Sequence, residues 1–473
     1  MAPSALLTDL YELTMLAGYF EQGMHQLPAT FDLFFRELPF DGGYAVMAGL
    51  DPALEFLESL RFREDDLDYI ESIGLFRGPF IAYLSSIRFK GTVTAVPEGT
   101  AVFPYEPILT VQGALAETQL VETALLNIVN FQTLIATKAS RVVRAAAPAK
   151  VVEFGTRRAQ GPDGAISATR AAAVGGVLTT SNLAAGKAFG LPVAGTQAHS
   201  WVMSFRTELE AFRAYATSFP DDCVLLVDTY DTLRSGIPNA ITVAKELEAG
   251  GHKLSGVRLD SGDLAYLSRE SRRLLDEAGL THVKILASNE LDEHVIQSIR
   301  SEGGLVDLYG VGTRLVTGAG QGGGALGGIY KLVEIDGKPK VKVSGDPSKG
   351  TIPGKKQLWR VIRPDGGFEM DVIGLEGETI GPGAQVFDPS HPLRHAPIPG
   401  DTRLEDLRTV VMDRGSRVLS PAALPALAKR TATELRSLPE GSLRLMNPHR
   451  YRVSLSPKLH ELRLRLIEEA RAG

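Results

Sequence analysis

The hydrophobic pattern near the N-terminus is helical. Apolar side chains recur there at helical spacing, at Leu6, Leu10, Leu13, Ala17 and Phe20. Thr8 or Asp9 can cap such a helix, so the pattern predicts an amphipathic helix from Asp9 to about Gln22. Strand-like segments broken by proline and glycine follow, and then a long helical stretch from Thr118 to Arg144. This mixture is typical of an α+β domain, which we place at residues 1–130.

From residue 150 onward the rhythm changes. Short apolar runs recur, and each ends in polar residues: KVVEFGTRR, GGVLTTSN, PVAGTQAH, CVLLVDTYD, GVRLDSGD, VKILASNE and VDLYGVGT. Several of the helical patterns between them open on Ser, Asp or Asn and finish at Gly. This alternation predicts parallel βαβ units, either a barrel or a doubly wound sheet. Polar residues at every strand end favour a barrel over residues 131–335, with one site at its rim.

After Gly327 the pattern changes to alternating strands that are joined by DG and PDGG turns. A closed barrel has no free edge for these strands, so we expect residues 336–473 to pack back on the N-terminal domain. A helical pattern begins near Pro457. The predicted fold class is therefore α/β, an irregular (β/α) barrel with an α+β domain built from the N-terminal and C-terminal segments.

Composition and charge exclude several classes of protein and site. The 473 residues are 44% hydrophobic and 22% charged with a net charge of −6, which is typical of a globular protein and unlike a dedicated nucleic-acid binder. The single cysteine, Cys223, permits no intrachain disulfide or cysteine metal cluster, and we interpret it as a small buried hydrophobe. Because we find no signal peptide and no long apolar span, we expect a cytoplasmic protein.

Candidate chemistry is concentrated at the strand ends. LPVAGTQAHSWVMSF is expected to start as a buried strand at residues 192–194 and turns polar at Thr196 and His199. A lone histidine is more often a satisfied core or surface residue than a catalyst, so the case for His199 depends on its neighbours. GVRLDSGD offers Arg258, a planar fork for carboxylate or phosphate, and Asp260, which can orient sugar hydroxyls. The DSGD turn could equally cap the next helix.

The other strand ends supply an aromatic ring, further donors and glycines. These residues are Phe154, Arg157, Ser288, Asn289, Gly310, Gly312 and Thr313. Glycines beside a hydroxyl can form a backbone amide cradle for phosphate, as in many phosphate-binding barrels. The combination suits a phosphorylated ribose and a flat ring. Gly318–Gly324 also contains the GxGxxG spacing, but no capped helix follows it, so we interpret it as a loop.

Nine motifs now stand in order along the chain: TDLYELTM, FQTLIATKASR, EFGTRRAQGPDGA, TSNLAAG, GTQAHS, VDTYDT, VRLDSGD, ASNELDE and GVGTRLVTG. Together they closely resemble the nicotinate phosphoribosyltransferase family. The likeness continues through ALGGIYKLVE and LRLMNPHRYRVSLSPKL, so it covers nearly the whole chain. The glycine-rich Gly318–Gly324 departs from the less repetitive loop that the family leads us to expect.

The resemblance implies a reaction. Nicotinate and phosphoribosyl pyrophosphate give nicotinate mononucleotide and pyrophosphate, with coupled hydrolysis of ATP, as the first step of NAD synthesis from nicotinate. His199 matches the histidine that ATP phosphorylates. Mg²⁺ is implied on the diphosphate, held mainly through substrate and water oxygens. The resemblance also implies a homodimer with shared active sites.

The resemblance further assigns individual residues. Phe154 matches the aromatic that stacks on the pyridine ring, and Tyr11 matches the opposite plate, contributed by the partner subunit. Arg258 and Thr196 match ring-site contacts, with Arg258 on the pyridine carboxylate. Asp260 is expected to meet the ribose hydroxyls and to stabilise an oxocarbenium-like state. The phosphate and ribose positions are Arg157, Ser288, Asn289, Gly310, Gly312 and Thr313.

Three alternatives stay open. The nearest is nicotinamide phosphoribosyltransferase, which resembles TSNLAAG with Asp where this chain has Asn182. Asn182 can donate to a carboxylate that Asp would repel, so we expect a preference for nicotinate. A sugar-phosphate lyase or isomerase would need a rim lysine or an acid/base pair, and no strand-end lysine in the seven runs suggests one. A non-catalytic regulator conflicts with the intact set His199, Arg258, Asp260 and Thr313.

Overall fold

The computed structural model describes residues 4–343, 350–391 and 393–472, and the chain forms two compact units. We call Met1–Thr137 with Gln321–Gly473 the discontinuous unit and Lys138–Gly320 the continuous unit. The helices in chain order are α1 (Leu10–Glu21), α2 (Leu50–Ser59), α3 (Glu64–Ser72), α4 (Gly78–Ser86), α5 (Leu115–Leu120), α6 (Glu122–Ala146), α7 (Gly161–Val174), α8 (Leu183–Phe189), α9 (His199–Met203), α10 (Glu208–Ser218), α11 (Ile237–Ala249), α12 (Leu264–Glu277), α13 (Glu293–Ser301), α14 (Thr313–Val316), α15 (Leu424–Ser437) and α16 (Pro457–Ala472).

The strands are β1 (Pro28–Phe35), β2 (Ala45–Val46), β3 (Thr92–Ala95), β4 (Ala101–Val102), β5 (Leu109–Ala114), β6 (Lys150–Glu153), β7 (Val224–Leu226), β8 (Gly256–Leu259), β9 (Lys284–Ser288), β10 (Leu308–Val311), β11 (Gly328–Ile335), β12 (Lys338–Pro339), β13 (Lys356–Ile362), β14 (Phe368–Leu375), β15 (Gln385–Phe387), β16 (His395–Pro397), β17 (Arg403–Asp406), β18 (Thr409–Asp413), β19 (Ser416–Arg417) and β20 (Val453–Leu455). The mixture of helices and strands confirms the predicted α/β class.

The discontinuous unit is built on two larger sheets. Seven antiparallel strands run in the order β12-β11-β1-β5-β3-β18-β19, and six further strands run β16-β15-β20-β14-β13-β17. In β1 every residue after Pro28 is buried, which fits a strand that is covered on both faces. The buried negative charge of Asp32 in this strand is paired with Lys356 at 2.8 Å. The pair offsets the free-energy cost of burying an isolated charge. N-terminal and C-terminal strands thus share one sheet.

The continuous unit is a parallel sheet with intervening helices, as the alternating pattern predicts. Its strands run in the order β6-β10-β9-β8-β7, and every pair is parallel. Beyond β6 the sheet continues through two single-residue bridges, from Glu153 to Thr180 and from Thr180 to Val193. Gln197 then reaches β7: in the amide orientation that satisfies both neighbours, its side-chain nitrogen donates to the Val224 carbonyl at 2.7 Å and its oxygen accepts from the Leu226 amide at 3.2 Å. The five strands, the two single-residue bridges and the Gln197 side chain therefore close the parallel sheet into a ring.

Two of the seven expected strands are reduced to these bridges. Pro192 has no N–H to donate, so two hydrogen bonds join its segment to Thr180. The Thr180 N–H donates to the Pro192 carbonyl, and the Ala194 N–H donates to the Thr180 carbonyl. The expectation that residues 192–194 are buried is wrong, since all three are exposed and Val193 is 51% accessible. Among the described residues, they pair through the backbone with Thr180 alone. The link to β7 is made instead by the side chain of Gln197.

Several helix predictions are confirmed, and other helices, among them α4 and α15, were missed. Helix α1 begins after Asp9 as expected, whereas the predicted long helix is divided between α5 and α6 at Val121. Helix α15 was not predicted. Cys223 is buried and burial raises the pKa of its thiol to about 12, in agreement with its interpretation as a small hydrophobe. Among the described residues, no helix is both long and apolar enough to cross a membrane.

Candidate active site

Arg258 lies at the centre of a cluster at the carboxyl ends of the parallel strands. It is the third residue of β8, and its guanidinium donates to three oxygens from three different segments. Nε donates to Ser288 Oγ at 2.8 Å, Nη1 to Thr196 Oγ1 at 2.9 Å and Nη2 to Asp260 Oδ1 at 2.8 Å. Because these bonds use Nε–H and one N–H on each terminal nitrogen, a second N–H of Nη1 and of Nη2 can serve an anionic ligand.

Asp260 is held in its ionised form. Burial opposes ionisation, but hydrogen bonds from Ser288 and Arg258 and the charge of Arg258 outweigh it and lower the pKa of the carboxyl. The Ser288 hydroxyl also donates to Asp260 Oδ1. A fixed carboxylate at a strand end can accept hydrogen bonds from a diol or stabilise a nearby positive charge.

His199 is the first residue of α9 and lies beside this carboxylate. Its Nδ1 is 3.1 Å from Thr229 Oγ1, and its Nε2 is 3.6 Å from Asp260 Oδ2. The side chain is 40% exposed, so the imidazole is accessible to a ligand. The structure therefore brings His199, Asp260, Arg258 and Thr196 together, as the strand-end pattern predicts.

Asp228 belongs to the same cluster, although it was not among the predicted site residues. Its Oδ2 accepts from the Asp260 backbone N–H at 2.8 Å and from the Ser261 hydroxyl at 2.6 Å. It follows β7 in CVLLVDTYD, so a carboxylate directly after a strand was the available signal. Asp263, in the DSGD turn that also contains Asp260 and Ser261, caps α12 by accepting from the Tyr266 N–H at 2.9 Å. The DSGD turn therefore serves both as a helix cap and as part of the site.

Phe154 follows β6, and its ring lies 5.7 Å from the guanidinium carbon of Arg258. The ring packs against the backbone of Gly310 in β10. A Cβ atom at position 310 would lie 2.5 Å from the Phe154 ring carbons, closer than real Cβ contacts. Gly310 therefore makes room for the aromatic ring, and its predicted part in a phosphate cradle stays a prediction.

Glu153, the residue before Phe154, was also missed by the sequence analysis. It is fully buried, and its carboxylate accepts from the Gly155 N–H, from Thr169 Oγ1 at 3.0 Å and from Thr180 Oγ1 at 2.6 Å. Asn182 is buried nearby and caps α8, since its Oδ1 accepts from the Ala185 N–H at 3.1 Å. Its predicted selection of nicotinate stays a prediction.

The remaining predicted residues occupy neighbouring loops. Gly312 precedes the short helix α14, which starts at Thr313. Thr313 Oγ1 donates to Glu290 Oε1 at 3.4 Å, and Arg157 is exposed after β6. Asn289 has a φ of 90°, an unfavourable conformation for a non-glycine residue that is often found at functional sites.

Tyr11 belongs to the discontinuous unit, on α1. Its ring is 46% exposed, and its hydroxyl donates to Glu12 Oε1 at 3.4 Å. Partial burial together with the nearby carboxylates of Glu122, Glu12 and Asp9 raises the pKa of Tyr11, so its hydroxyl stays protonated at neutral pH. The predicted contact with a ligand across a subunit boundary stays a prediction.

No protein metal centre is found in the part of the chain that the structure describes, where no three His, Cys, Asp or Glu side chains are grouped to hold an ion. The cluster in the continuous unit instead combines a guanidinium with free N–H groups, an ionised carboxylate, an accessible imidazole and an aromatic ring. Such a set can bind an anionic flat ring and a sugar and can stabilise positive charge at a reacting carbon.

Comparisons with known proteins agree with this chemistry. The model described as the nicotinate phosphoribosyltransferase (NAPRTase) family matches residues 149–363, and models of its N-terminal and C-terminal domains match residues 6–130 and 355–463. The chain is 43% identical to the nicotinate phosphoribosyltransferase of Bacillus subtilis over 98% of this chain and 97% of that protein. It is 36% identical to the nicotinate phosphoribosyltransferase of Homo sapiens over 98% and 96% of the two chains.

Solved structures extend the likeness to the fold. The crystal structure of human nicotinic acid phosphoribosyltransferase superposes with a TM-score of 0.87 at 32% identity, covering 97% of this chain and 99% of that chain. Nicotinate-nucleotide pyrophosphorylase from Pyrococcus furiosus has a TM-score of 0.71 at 23% identity, over 92% and 95% of the two chains, and shows the shared fold alone. With family models and relatives that span almost its full length, the chain belongs to the nicotinate phosphoribosyltransferase family.

Proposed function

We propose that the protein forms nicotinate mononucleotide and pyrophosphate from nicotinate and phosphoribosyl pyrophosphate, with coupled ATP hydrolysis through a phosphorylated His199. The observation that carries the proposal is the convergence of Arg258, Asp260 and His199 within hydrogen-bond or ion-pair distance, in a member of this family. NAD synthesis from nicotinate is the route that such a product would enter. The cytoplasmic location expected from the sequence stays a prediction.

The geometry supports distinct roles for Arg258, Phe154 and Asp260. The free N–H groups of Arg258 suit the pyridine carboxylate, and the ring of Phe154 beside them suits the pyridine face. The pyridine nitrogen would attack the anomeric carbon as the bond from that carbon to the pyrophosphate oxygen breaks. The ionised carboxylate of Asp260 would stabilise positive charge that develops on the sugar.

His199 suits a phosphoryl carrier. Since Nδ1 lies by Thr229, the neutral imidazole would form its P–N bond at Nε2, while the bond between the γ-phosphorus of ATP and the ADP oxygen breaks. Water would later hydrolyse the P–N bond and return the free imidazole and phosphate. The hydrogen bond between Nδ1 and the Thr229 hydroxyl, at 3.1 Å, would hold the neutral ring in orientation.

Mg²⁺ would be carried by the substrate diphosphate. Oδ1 of Asp228 is buried and has no hydrogen-bond partner within the described residues, so an oxygen suited to a water of the ion's shell is already present. When bound, the ion would neutralise charge on the leaving pyrophosphate. Asp228 and Asp260 are the side chains that we assign to its water ligands.

A direct assay tests the proposed function and its nearest alternative. Purified protein is incubated with phosphoribosyl pyrophosphate, ATP and Mg²⁺ and either nicotinate or nicotinamide, and both mononucleotides are measured by chromatography. We expect nicotinate mononucleotide, faster formation with ATP, and a kcat/KM for nicotinate far above that for nicotinamide. Comparable values for the two would favour the nicotinamide enzyme, and no product from either would refute the proposal.

A further inference from the structure

Glu153 connects Phe154 and Asn182, two of the residues that we assign to nicotinate. It is covalently joined to Phe154, and the Gly155 N–H donates to its carboxylate, which fixes the turn around Phe154. On the other side, Thr180 Oγ1 donates to Glu153 Oε2 at 2.6 Å and itself accepts from the Asn182 N–H at 2.9 Å. One buried carboxylate therefore holds both segments.

A second connection runs through α7. Thr169 Oγ1 lies 3.0 Å from Glu153 Oε2, and the Asn182 side-chain nitrogen lies 3.4 Å from the same hydroxyl. Glu153, Thr169 and Thr180 are all buried, with at most 1% of their surfaces accessible. A network at this depth is rigid when satisfied, because each lost partner leaves a buried polar atom without a hydrogen bond.

We infer that Glu153 is a positioning residue that sets the spacing between Phe154 and Asn182, and hence the affinity for nicotinate. The inference rests on the proposed function. Glu153 itself is fully buried and would not touch the substrate. Its loss should weaken binding of the ring and leave binding of phosphoribosyl pyrophosphate largely unchanged, since Asp260, which we assign to the sugar, is held by separate bonds from Arg258 and Ser288.

Thr180 provides the sharpest variant. Its hydroxyl has Glu153 as the acceptor, whereas Thr169 Oγ1 can donate to the Ala165 carbonyl at 2.9 Å instead. Thr180→Val keeps the shape and removes the hydroxyl, and Thr180→Ser restores it. Thr180→Val also leaves the carboxylate in place, so it carries the test even where Glu153→Gln fails to fold. Glu208→Gln is a matched control, since Glu208 is a buried carboxylate that accepts from Asn239 at 2.9 Å.

The experiment measures kcat, the KM for each substrate, and the nicotinate Kd by calorimetry. For Thr180→Val and Glu153→Gln we expect the nicotinate KM and Kd to rise about tenfold, as for one lost buried hydrogen bond, with the KM for phosphoribosyl pyrophosphate within about twofold. Thr180→Ser should return the nicotinate KM to near the wild-type value. Glu208→Gln should match wild type.

Other outcomes would overturn the inference. An unchanged nicotinate KM in Thr180→Val, an equal rise in both KM values, or no rescue by Thr180→Ser each contradicts a positioning role. These results are distinct from a failure of the proposed function, in which the wild-type protein itself would make no nicotinate mononucleotide and bind no nicotinate.

Discussion

At the residue scale, the candidate site is held by buried or half-buried partners that the sequence alone did not identify. Arg258, Asp260 and His199 could be found from the sequence because each lies near the end of an apolar run or shortly after it. Asp228 and Glu153 also follow such runs, but a carboxylate there cannot be distinguished by pattern from an ordinary turn residue. Only the fold shows which donors it meets.

Gly310→Ala tests whether the backbone makes room for Phe154. The added methyl would lie 2.5 Å from the ring, so the ring must move, and overpacking of this kind costs about 1–3 kcal/mol. We expect nicotinate binding, measured by calorimetry, to weaken about tenfold or more. Gly164→Ala is the control, because a Cβ there meets nothing within 4 Å. Equal affinities for the two variants would contradict the packing role.

Ser288→Ala tests the ionised state of Asp260. A lowered pKa contributes stability above the ordinary pKa of Asp, about 4, and this contribution is lost as the pH falls through the lower folded-state value. We expect the variant to lose about 1 kcal/mol in free energy of unfolding at pH 7, with a smaller difference below pH 4. Chemical denaturation against Ser301→Ala, an exposed serine, checks this. A difference that is constant with pH would refute it.

At the element scale, the alternation of strands and helices was predictable, whereas the extent of two strands was not. Apolar runs with polar ends correctly predicted the five parallel strands of the continuous unit. GGVLTTSN and PVAGTQAH also have an apolar start and a polar end but form only single bridges, and Pro192 lacks the N–H that would extend the pairing between them. The ring is instead completed by the side chain of Gln197, a tertiary contact with no local signal. Helix α15 was missed since its segment follows several prolines.

Gln197→Met tests this connection. The substitution keeps the volume but leaves the Val224 carbonyl and the Leu226 N–H without their partner, so we expect a loss of about 2 kcal/mol in free energy of unfolding. Thermal and urea denaturation measure it. Gln297→Met, at an exposed position of α13, is the matched control. If both variants unfold alike, the side chain does not stabilise the ring.

At the scale of the whole molecule, the chain has two units, and its predicted site residues are divided between them. All but Tyr11 lie in the continuous unit. The contribution of Tyr11 came from family resemblance, because an exposed aromatic on a helix has no intrinsic signal for a shared site. A test of a shared site therefore needs two different variant chains that can form one dimer.

Tyr11→Ala and Phe154→Ala should each be nearly inactive and should complement each other when mixed. Random reassortment of a homodimer gives about half mixed dimers with one intact site of two, so we expect about a quarter of wild-type activity. The assay follows nicotinate mononucleotide after subunit exchange, with each variant alone as control. No recovery in a mixture shown to contain mixed dimers would exclude a shared site.

Transfer of phosphate from ATP to His199 is the central claim, and labelling tests it most directly. The protein is incubated with γ-labelled ATP and Mg²⁺, and the protein-bound label is characterised and located by mass spectrometry. We predict an acid-labile, base-stable label on His199, absent in His199→Asn, which should also lose the ATP-dependent increase in rate. A wild-type protein that takes up no label, together with a His199→Asn variant that keeps the full ATP-dependent rate, would contradict the account.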